Sequence, residues 1–453
     1  MGLEIGGNHM MFDKIVEKRQ ETDQYKYFTY GDDYYNSRNT EIMERKKKVY
    51  LGEELGDVSS PMVAQHTLPS GHLRKIIDQK VLYQLGNGIK FDNDTQKEIL
   101  NKYFETSFDE FLIDSGLDTS KKAESWAFAF MLDGVLRFTL IPCEQLSPVY
   151  DEYGKLSIMV RTYDEFDDKG KEIETMLVYD KQGVTRYQRK KDTSKFTEVR
   201  SVGHYTEQDT FDGKPIDNPV QKGFGQVPFI PLFNNRDRHS DLFPVKHFID
   251  VYDIINSDFA NNIDDMQDAF YTLKGYSAEP KALIEFMKQL KKIKAVPISE
   301  DGDIKVNQLE IPVEARKVFL ELLTKDIYSF SMAVDLRGIT GGSITNVMIK
   351  AMYADLDLKC DQFESELRKY INSIIDFINK VTSQQLDKKY NFLRSMIIND
   401  NERIDGIVKL AGIISQETQR ELLPYEIDMK EEDKRLEKEN TGVNLGDGVV
   451  NQG

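Results

Sequence analysis

Three aspartates, Asp264, Asp265 and Asp268, form a DDxxD pattern in a stretch without glycine or proline. Side chains four residues apart share one face of a helix, so these carboxylates can offer oxygen ligands to one Mg²⁺ ion. Enzymes that use this pattern need a second acidic ligand set. Residues 399–402 begin like one, but Arg403 occupies the place of its hydroxyl residue. The preferred interpretation is a solvated or channel-facing acidic stripe, and a Mg²⁺-dependent carboxylate enzyme is the alternative.

Other motifs for catalysis or cofactor binding are incomplete in this sequence. The glycine pairs at 86–88 and 223–225 lack the third glycine of a phosphate-binding loop, and no Gly-Lys-Ser/Thr element occurs. The six histidines show no pair at the i+3 or i+4 spacing of metal ligands on a helix. We therefore predict no enzymatic activity, no cofactor and no bound metal.

The three aspartates lie near the end of a long predicted helix, residues 241–273. It follows a loop punctuated by glycine and proline, and no further glycine or proline interrupts it after Pro244 until Gly275. Apolar side chains from Phe248 to Phe270 recur at threes and fours and form one stripe. Acidic side chains recur at the same spacing on another side. Such a helix needs apolar neighbours on one side and water, or a hydrated channel, on the other.

The composition restricts the classes of function. The chain has 453 residues and a net charge of −17, so a basic surface that grips nucleic acid is not the expectation. A conduit along which DNA must slide is compatible with this acidity. Cys143 and Cys360 are the only cysteines, which fits a reducing compartment without a disulfide framework. No apolar run approaches the length of a membrane span.

Helical and strand patterns alternate along the rest of the chain and predict an α+β fold. Helices are predicted at 36–48, 72–85, 94–116, 121–133, 281–293, 312–334 and 347–384, and at 415–423 with Ser415 as N-cap. Short strands are predicted at 134–142, 155–162, 174–179 and 184–189, and the turn at 300–303 predicts a hairpin between 295–299 and 304–311.

The order of these segments resembles the portal proteins of tailed double-stranded DNA phages, of the siphovirus type. The resemblance rests on GFGQVPFIPLFNN, a charged SDL, the run VKHFIDVYDIINSDFANNIDDMQDAFYTLKGY and the EQLSPVYD run that starts at Glu144. It extends from about Tyr34 to Pro424, and the order of segments makes it specific rather than any single motif. It implies an α+β subunit with a mixed α/β wing, a two-helix stem, a small α/β clip, a long spine helix and a helical crown.

The resemblance also implies domain boundaries. They are 1–30 for a leader and N-terminal arm, 31–240 for the wing, 241–273 for stem helix 1, 274–311 for the clip, 312–334 for stem helix 2, 335–346 for the tunnel loop, 347–384 for the spine helix, 385–425 for the crown and 426–453 for an acidic, partly disordered tail.

By the same resemblance, the subunit would form a ring of about a dozen copies at one capsid vertex, through which the genome is packaged and ejected. The implied site residues are Arg337, Gly338, Thr340, Gly341, Gly342, Ser343, Thr345 and Asn346 in a DNA-facing tunnel loop, Asp250, Asp253, Asp264 and Asp268 on a channel-lining stem, and Lys288, Lys291, Lys292 and Lys294 at a clip docking surface. The implied partners are further copies of the chain, double-stranded DNA bound transiently without sequence preference, the terminase large subunit, the head–tail adaptor, and the major capsid and scaffold proteins, with no membrane. The expected location is the virion, after assembly in the bacterial cytoplasm.

Simpler interpretations of these segments stay open from the residues alone. The glycine-rich loop is also typical of a linker between helices, and the lysine cluster is also typical of a solvated surface. A monomeric helical scaffold without a pore is a third possibility for the whole chain.

Overall fold

The computed structural model describes most of the chain. The described residues are 9–45, 66–167, 169–190, 195–207, 210–211, 214–215, 220–265, 270–274, 303–307, 312–338, 345–395, 400–423 and 429–443. Helices and strands are mixed along them, which confirms the predicted α+β class. The chain divides into unit 1, Met1–Ala333 with Leu358–Arg394, and unit 2, Val334–Asp357 with Ser395–Gly453.

The helices follow the apolar periodicity of the sequence in most places. They are α1 (His9–Gln20), α2 (Asp23–Tyr35), α3 (Thr40–Glu44), α4 (His72–Leu85), α5 (Asp94–Asn101), α6 (Phe108–Lys122), α7 (Lys246–Asp265), α8 (Val313–Ser331), α9 (Asn346–Thr382), α10 (Asp400–Lys409), α11 (Gln416–Glu421) and α12 (Met429–Val443). The prediction for 72–85 is confirmed, and α8 and α9 lie within two to three residues of their predicted bounds. Ser107 and Glu110 form a capping box that starts α6, since each side chain bonds the other residue's backbone N–H.

The strands pair antiparallel throughout the described residues. They are β1 (Ile89–Phe91), β2 (Glu124–Leu132), β3 (Val135–Ile141), β4 (Leu146–Tyr150), β5 (Leu156–Phe166), β6 (Glu172–Tyr179), β7 (Gly183–Lys190), β8 (Thr197–Gly203), β9 (Tyr205–Glu207), β10 (Thr210–Phe211), β11 (Lys214–Pro215), β12 (Val220–Lys222), β13 (Phe229–Phe233), β14 (Phe270–Lys274), β15 (Asp303–Asn307) and β16 (Tyr390–Phe392). A five-stranded sheet has the order β4-β5-β6-β7-β8, and a three-stranded sheet has the order β13-β2-β3. Short pairs join β1 to β16, β9 to β12, β10 to β11 and β14 to β15. The predicted antiparallel region after residue 134 is confirmed.

Four helix predictions are wrong. Residues 94–116 form two helices, α5 and α6, because Ser107 caps a new helix after the turn at 102–107. Of 36–48, only Thr40–Glu44 is helical among the described residues, and the helix predicted at 281–293 lies outside them.

In the other two cases local pattern competed with sheet pairing. The segment 121–133 was predicted to be helical, but α6 ends at Lys122 and the next residues form β2. Ala123 adopts a left-handed conformation with φ of 72° and stops α6. β2 is the central strand of its sheet, and all residues from Glu124 to Ala127 are buried, so both faces of its first half are covered. From Trp126 onward its sequence is continuously apolar rather than alternating.

The predicted helix 241–273 is also shorter than expected. α7 begins at Lys246 and ends at Asp265, and residues 270–274 form β14, which pairs with β15. The predicted hairpin partner of 304–311, residues 295–299, lies outside the described residues. The predicted strand 304–311 corresponds to β15. Its observed partner is β14, which lies in the segment 241–273 that was predicted to be one helix.

The core of unit 1 lies on both sides of α9. Phe363 and Tyr370 of α9 are buried, and a Cβ on Gly116 of α6 would lie 3.6 Å from the Phe363 ring. On the other side the rings of Phe138 and Phe377 meet edge to face with centroids 5.8 Å apart. Each buried side chain of this size contributes about 1.5–3 kcal/mol, so α9 fixes α4, α6 and the three-stranded sheet relative to one another.

Unit 2 contains the remaining helices. Ser415 caps α11 as predicted, because its hydroxyl accepts the Thr418 N–H at 3.1 Å. Arg420 of α11 forms an ion pair with Asp433 of α12 at 2.6 Å. The charge-rich part of the tail 426–453 forms α12. Residues 444–453 lie outside the described residues, so the predicted partial disorder of the tail stays a prediction. In the described part of the chain, none of the helices is long and apolar enough to cross a bilayer.

Candidate functional site

The acidic side of α7 packs against the N-terminal helices of its own subunit. Asp250 is 6% exposed, accepts a hydrogen bond from the Tyr34 hydroxyl, and pairs with Lys246 Nζ at 2.9 Å. Burial, together with this hydrogen bond to Asp250, raises the pKa of Tyr34 to about 12. A neutral phenol and an ammonium group therefore share one buried carboxylate.

Asp253, one turn later, joins three parts of the chain. It is fully buried, and its carboxylate accepts hydrogen bonds from the Asn39 side chain and from the backbone N–H of Ser70 at 2.9 Å. Burial raises the pKa of Asp253, while the hydrogen bonds from Asn39 and Ser70 oppose that rise. Further along the helix, the Arg45 guanidinium contacts both oxygens of Asp258 at 2.9 and 3.1 Å.

These contacts correct the predicted hydrated face of α7. Asp250 and Asp253 were assigned to a channel wall, but a carboxylate enclosed by its own subunit does not face a channel in this conformation. The spacing correctly predicted a polar stripe on α7 but not that protein rather than water covers it at Asp250 and Asp253. The residues that cover these two carboxylates, Tyr34 and Asn39, lie about 200 residues earlier in the chain. The side chains of Asp264 and Asp265 and all of Asp268 lie outside the described residues, so their predicted roles stay predictions.

A buried charge cluster just before α7 was missed by the sequence reasoning. The Lys80 ammonium, 1% exposed, donates to Ser120 Oγ at 3.0 Å, to Asn234 Oδ1 and to Asp241 Oδ2 at 3.0 Å. Asp241 also pairs with Lys359 Nζ at 3.1 Å. A signal was present in the sequence, because Lys80 occupies a position on the apolar face of α4, between Ile77 and Val81 along the chain.

The cluster has two cations and one carboxylate. Burial raises the pKa of Asp241, but the Lys359 and Lys80 ammonium groups outweigh this effect and hold it at about 2. Burial lowers the pKa of Lys80 to about 8, helped by repulsion from Lys359 and opposed by Asp241. A cavity of about 210 Å³ borders these groups. The cluster fixes the loop that leads into α7, because Asp241 bonds residues of α4 and α9 simultaneously.

The surface of α8 carries an uncovered apolar stripe. Ala315, Val318, Phe319 and Leu322 stand at the i, i+3, i+4, i+7 spacing that normally faces a core, yet all four are exposed. Val318 is 60% exposed and Leu322 51%. The buried residues of α8, among them Leu323, Ile327 and Tyr328, lie on the other side of the helix. α8 also contacts α7 at Phe330, next to the stripe, where the Phe248 and Phe330 ring centroids are 5.1 Å apart. Among the described residues this stripe is therefore exposed and can contact another molecule.

The described ends of the predicted tunnel loop lie in unit 2. Arg337 is in a short 3₁₀ turn, Leu336–Gly338, and its guanidinium pairs with both carboxylate oxygens of Asp335 at 2.7 and 2.8 Å. Thr345 caps α9, because its hydroxyl accepts the Met348 N–H at 3.3 Å, and Asn346 is the first residue of that helix. Thr340, Gly341, Gly342 and Ser343 lie outside the described residues. The DNA-facing role of all these residues stays a prediction.

The other candidate residues are outside the described part of the chain. They are the clip lysines Lys288, Lys291, Lys292 and Lys294. Among the residues that are described, no group of three His, Cys, Asp or Glu side chains has the geometry of a metal site. Cys143 and Cys360 are both buried and unbonded to each other.

Comparison with known proteins gives one consistent class of match. The family model described as "Phage portal protein, SPP1 Gp6-like" matches residues 16–444. The portal protein of Bacillus phage SPP1 is 28% identical over 449 residues, 95% of this chain and 86% of that protein. The portal protein of Clostridium phage phiCD119 is 28% identical over 386 residues, 79% of this chain and 81% of that protein.

Solved structures also match this chain, at lower sequence identity. A chain from the neck of a native GTA particle, computed with C12 symmetry, is 11% identical with a TM-score of 0.40, covering 78% of this chain and 89% of that chain. A chain from the virion of a native gene transfer agent particle is 9% identical with a TM-score of 0.41 and the same coverage of both chains.

Proposed function

This chain belongs to the phage portal protein family of the SPP1 Gp6-like type, and we propose from this membership that it forms a closed ring at one vertex of a capsid. The observation that carries the proposal is the family match over residues 16–444, nearly the whole chain. Proteins of this family are structural, and we propose that this chain likewise has no catalytic activity. Its ring, of about twelve copies, serves as the channel for packaging and ejecting the viral genome.

The exposed stripe on α8 supports contact between copies. An apolar stripe at helical spacing is typical of a surface that another element covers, and the described residues of the subunit leave Val318, Phe319 and Leu322 exposed. A ring built from one repeated interface brings the same surface of every copy against a second surface of the next. We therefore assign the α8 stripe to the contact between neighbouring copies.

The charge of the chain suits a channel through which DNA moves. A dozen copies at −17 each carry on the order of −200 charges, so a phosphate backbone meets a largely repulsive wall. The tunnel loop, Arg337 to Asn346, contributes small residues and one arginine, a composition that suits transient contact with a DNA backbone without sequence preference. In the described conformation Asp335 neutralises that arginine, which keeps any grip on phosphate weak.

The remaining assignments follow the family and are parts of the same proposal. The wing, 31–240, contacts the major capsid and scaffold proteins. The clip, 274–311, with Lys288, Lys291, Lys292 and Lys294, docks the terminase large subunit and later the head–tail adaptor. Stem helix 1 lines the channel with Asp264 and Asp268, and the virion, after assembly in the bacterial cytoplasm, is the site of action.

The test of the proposal is the assembly state of purified full-length chain, measured by multi-angle light scattering and negative-stain microscopy. Rings of about a dozen copies are expected. Leu322→Asp, which places a charge on the α8 stripe, is expected to shift the population to monomers. Leu132→Asp is the matched control, since Leu132 is a similarly exposed leucine, at 54%, in the β2–β3 hairpin. A chain that stays monomeric under all assembly conditions, or rings indifferent to Leu322→Asp, would contradict the proposal.

A further inference from the structure

The cavity beside the buried charge cluster borders one unbalanced positive charge. The cluster holds two ammonium groups, those of Lys80 and Lys359, and a single carboxylate, that of Asp241. Asp237 also lines the cavity, but it is exposed and, in the described part of the chain, pairs with neither lysine. Enclosing a charge is unfavourable unless an opposite charge accompanies it. The cluster is therefore one negative charge short of neutrality.

The unused hydrogen-bond donor of the cluster belongs to Lys359. The Lys80 ammonium group donates all three of its N–H groups to buried oxygen atoms. The Lys359 ammonium group donates two, to Asp241 at 3.1 Å and to the Ser331 carbonyl oxygen at 2.9 Å. Its third N–H has no acceptor among the described residues, and its side chain, 15% exposed, lines the cavity. Lys359 thus presents the unbalanced charge to the cavity.

A second polar group of the cavity lining has no partner. Ser240 is 3% exposed and lines the cavity, and its hydroxyl makes no hydrogen bond in the part of the chain that the structure describes. Burying a hydroxyl without a partner is unfavourable, so folded proteins usually satisfy such a group. An oxygen ligand in the cavity supplies the acceptor that both Ser240 and Lys359 lack.

The cavity also has apolar walls. They are formed by Phe243, Pro244, Phe330 and Met332. The His239 ring stacks on Phe243 with centroids 4.0 Å apart, which fixes that wall. The volume of about 210 Å³ exceeds that of a single water molecule, which takes up about 30 Å³ in the liquid. The cavity therefore suits an apolar stem that ends in an anionic group.

We propose that this cavity binds one carboxylate on a short apolar stem. The carboxylate accepts hydrogen bonds from Lys359 and Ser240, and the stem packs against Phe243 and Phe330. A monoanion matches the single unbalanced charge, whereas a phosphate dianion would bring a second charge without a partner. A hydrogen bond from an ammonium group to a carboxylate is charge-assisted and therefore strong.

Two sources offer this chemistry, a small free acid and an acidic side chain of another copy of the chain. They share the carboxylate and its stem, and the same experiment separates them. The proposal does not depend on the proposed function.

The test is butyrate binding to the full-length chain at constant ionic strength, followed by saturation-transfer difference NMR of the butyrate methyl protons. Butyrate is expected to bind saturably with a dissociation constant of about 1–10 mM. Butyramide, an uncharged analogue of the same shape, is expected to bind at least about tenfold more weakly, because it cannot balance the charge. Lys359→Met is expected to weaken butyrate binding by about tenfold or more. Lys369→Met is the matched control, since it makes the same change at a lysine of α9 that is 65% exposed and outside the cavity lining.

A second pair of variants repeats the test with an added charge. Gln362, which lines the cavity and is exposed, can become Glu with little change of shape. Gln362→Glu is expected to weaken butyrate binding severalfold, because its carboxylate repels or replaces the ligand. Gln182→Glu makes the same change at an exposed glutamine between β6 and β7, outside the cavity lining, and should leave binding unchanged.

Sedimentation velocity of the same samples identifies the source of the carboxylate. An unchanged sedimentation coefficient at saturating butyrate assigns the site to a free acid, and a shift to smaller species assigns it to a side chain of another copy. The proposal is overturned if butyrate does not bind saturably, if butyramide binds as tightly, or if the two members of either pair behave alike. Should Lys359→Met unfold the chain, the glutamine pair decides.

Discussion

Replacing Asp241 by Asn is expected to destabilise unit 1 by about 3–5 kcal/mol. The carboxylate is 4% exposed and is the anion shared by the Lys80 and Lys359 ammonium groups, at 3.0 and 3.1 Å. Asparagine has nearly the same shape, so the change removes charge without making a cavity. Removing one partner of a buried ion pair leaves an uncompensated buried charge, which typically costs about 3–5 kcal/mol.

The cost of Asp241→Asn can be compared with the cost of removing one of the two cations instead. Lys80→Met removes one cation of similar length and leaves Asp241 paired with Lys359 and bonded by the Asn234 amide at 3.0 Å. It also removes the cost of burying an ammonium group, the effect that lowers the pKa of Lys80 to about 8. We therefore expect a loss of no more than about 2 kcal/mol. In the double variant, Asp241→Asn costs less than it does alone, since one stranded cation is gone.

Urea unfolding followed by Trp126 fluorescence measures these differences. Trp126 is the one tryptophan of the chain, is fully buried in β2 and belongs to unit 1, so its signal reports the unit that holds the cluster. A change of midpoint at constant slope gives the change in the free energy of unfolding. The reasoning is refuted if Asp241→Asn costs less than about 1 kcal/mol, or if Lys80→Met is the more damaging change.

Three further predictions concern acid, close packing and the loop. The pKa of Asp241 is about 2 in the folded chain and 3.8 ordinarily, so the ionised carboxylate contributes its full stabilisation above pH 3.8 and loses it as the pH falls towards 2. The free energy of unfolding of Asp241→Asn should therefore fall less steeply with decreasing pH in that window than that of the unaltered chain. Gly31→Ala should lower the free energy of unfolding by about 1–3 kcal/mol, because its Cβ would lie 2.1 Å from the Lys121 carbonyl oxygen. Gly406→Ala is the control, since this glycine of α10 has open space around it, and the change should be neutral or stabilising. Thermal melts measure both variants. Shortening the segment from Arg337 to Ser343 should lower the DNA retained in filled particles, measured by nuclease protection; unchanged retention would remove the loop from the proposed function.

The sequence predicted the fold well where one periodic pattern met no competitor. The stripe of α4 from Leu73 to Leu85 gave its bounds, and the alternation with turns after residue 134 gave the antiparallel sheet. It failed at β2, because a strand buried on both faces in the middle of a sheet is continuously apolar and matches a buried helix equally well. It also failed at the end of α7, where pairing of Phe270–Lys274 with β15 prevailed over helical spacing.

What the sequence alone determined is the membership of the family, the α+β class, the order of the segments and the polar stripe on α7. These depend on residue types and on spacing along the chain, which local pattern records. Only the tertiary structure decided what the polar stripe contacts. Asp250 and Asp253 are buried because Tyr34, Asn39 and Ser70 fold back over α7 from about 200 residues away. Burial is a property of such distant partners, and the periodicity of one helix cannot distinguish a layer of protein from a layer of water.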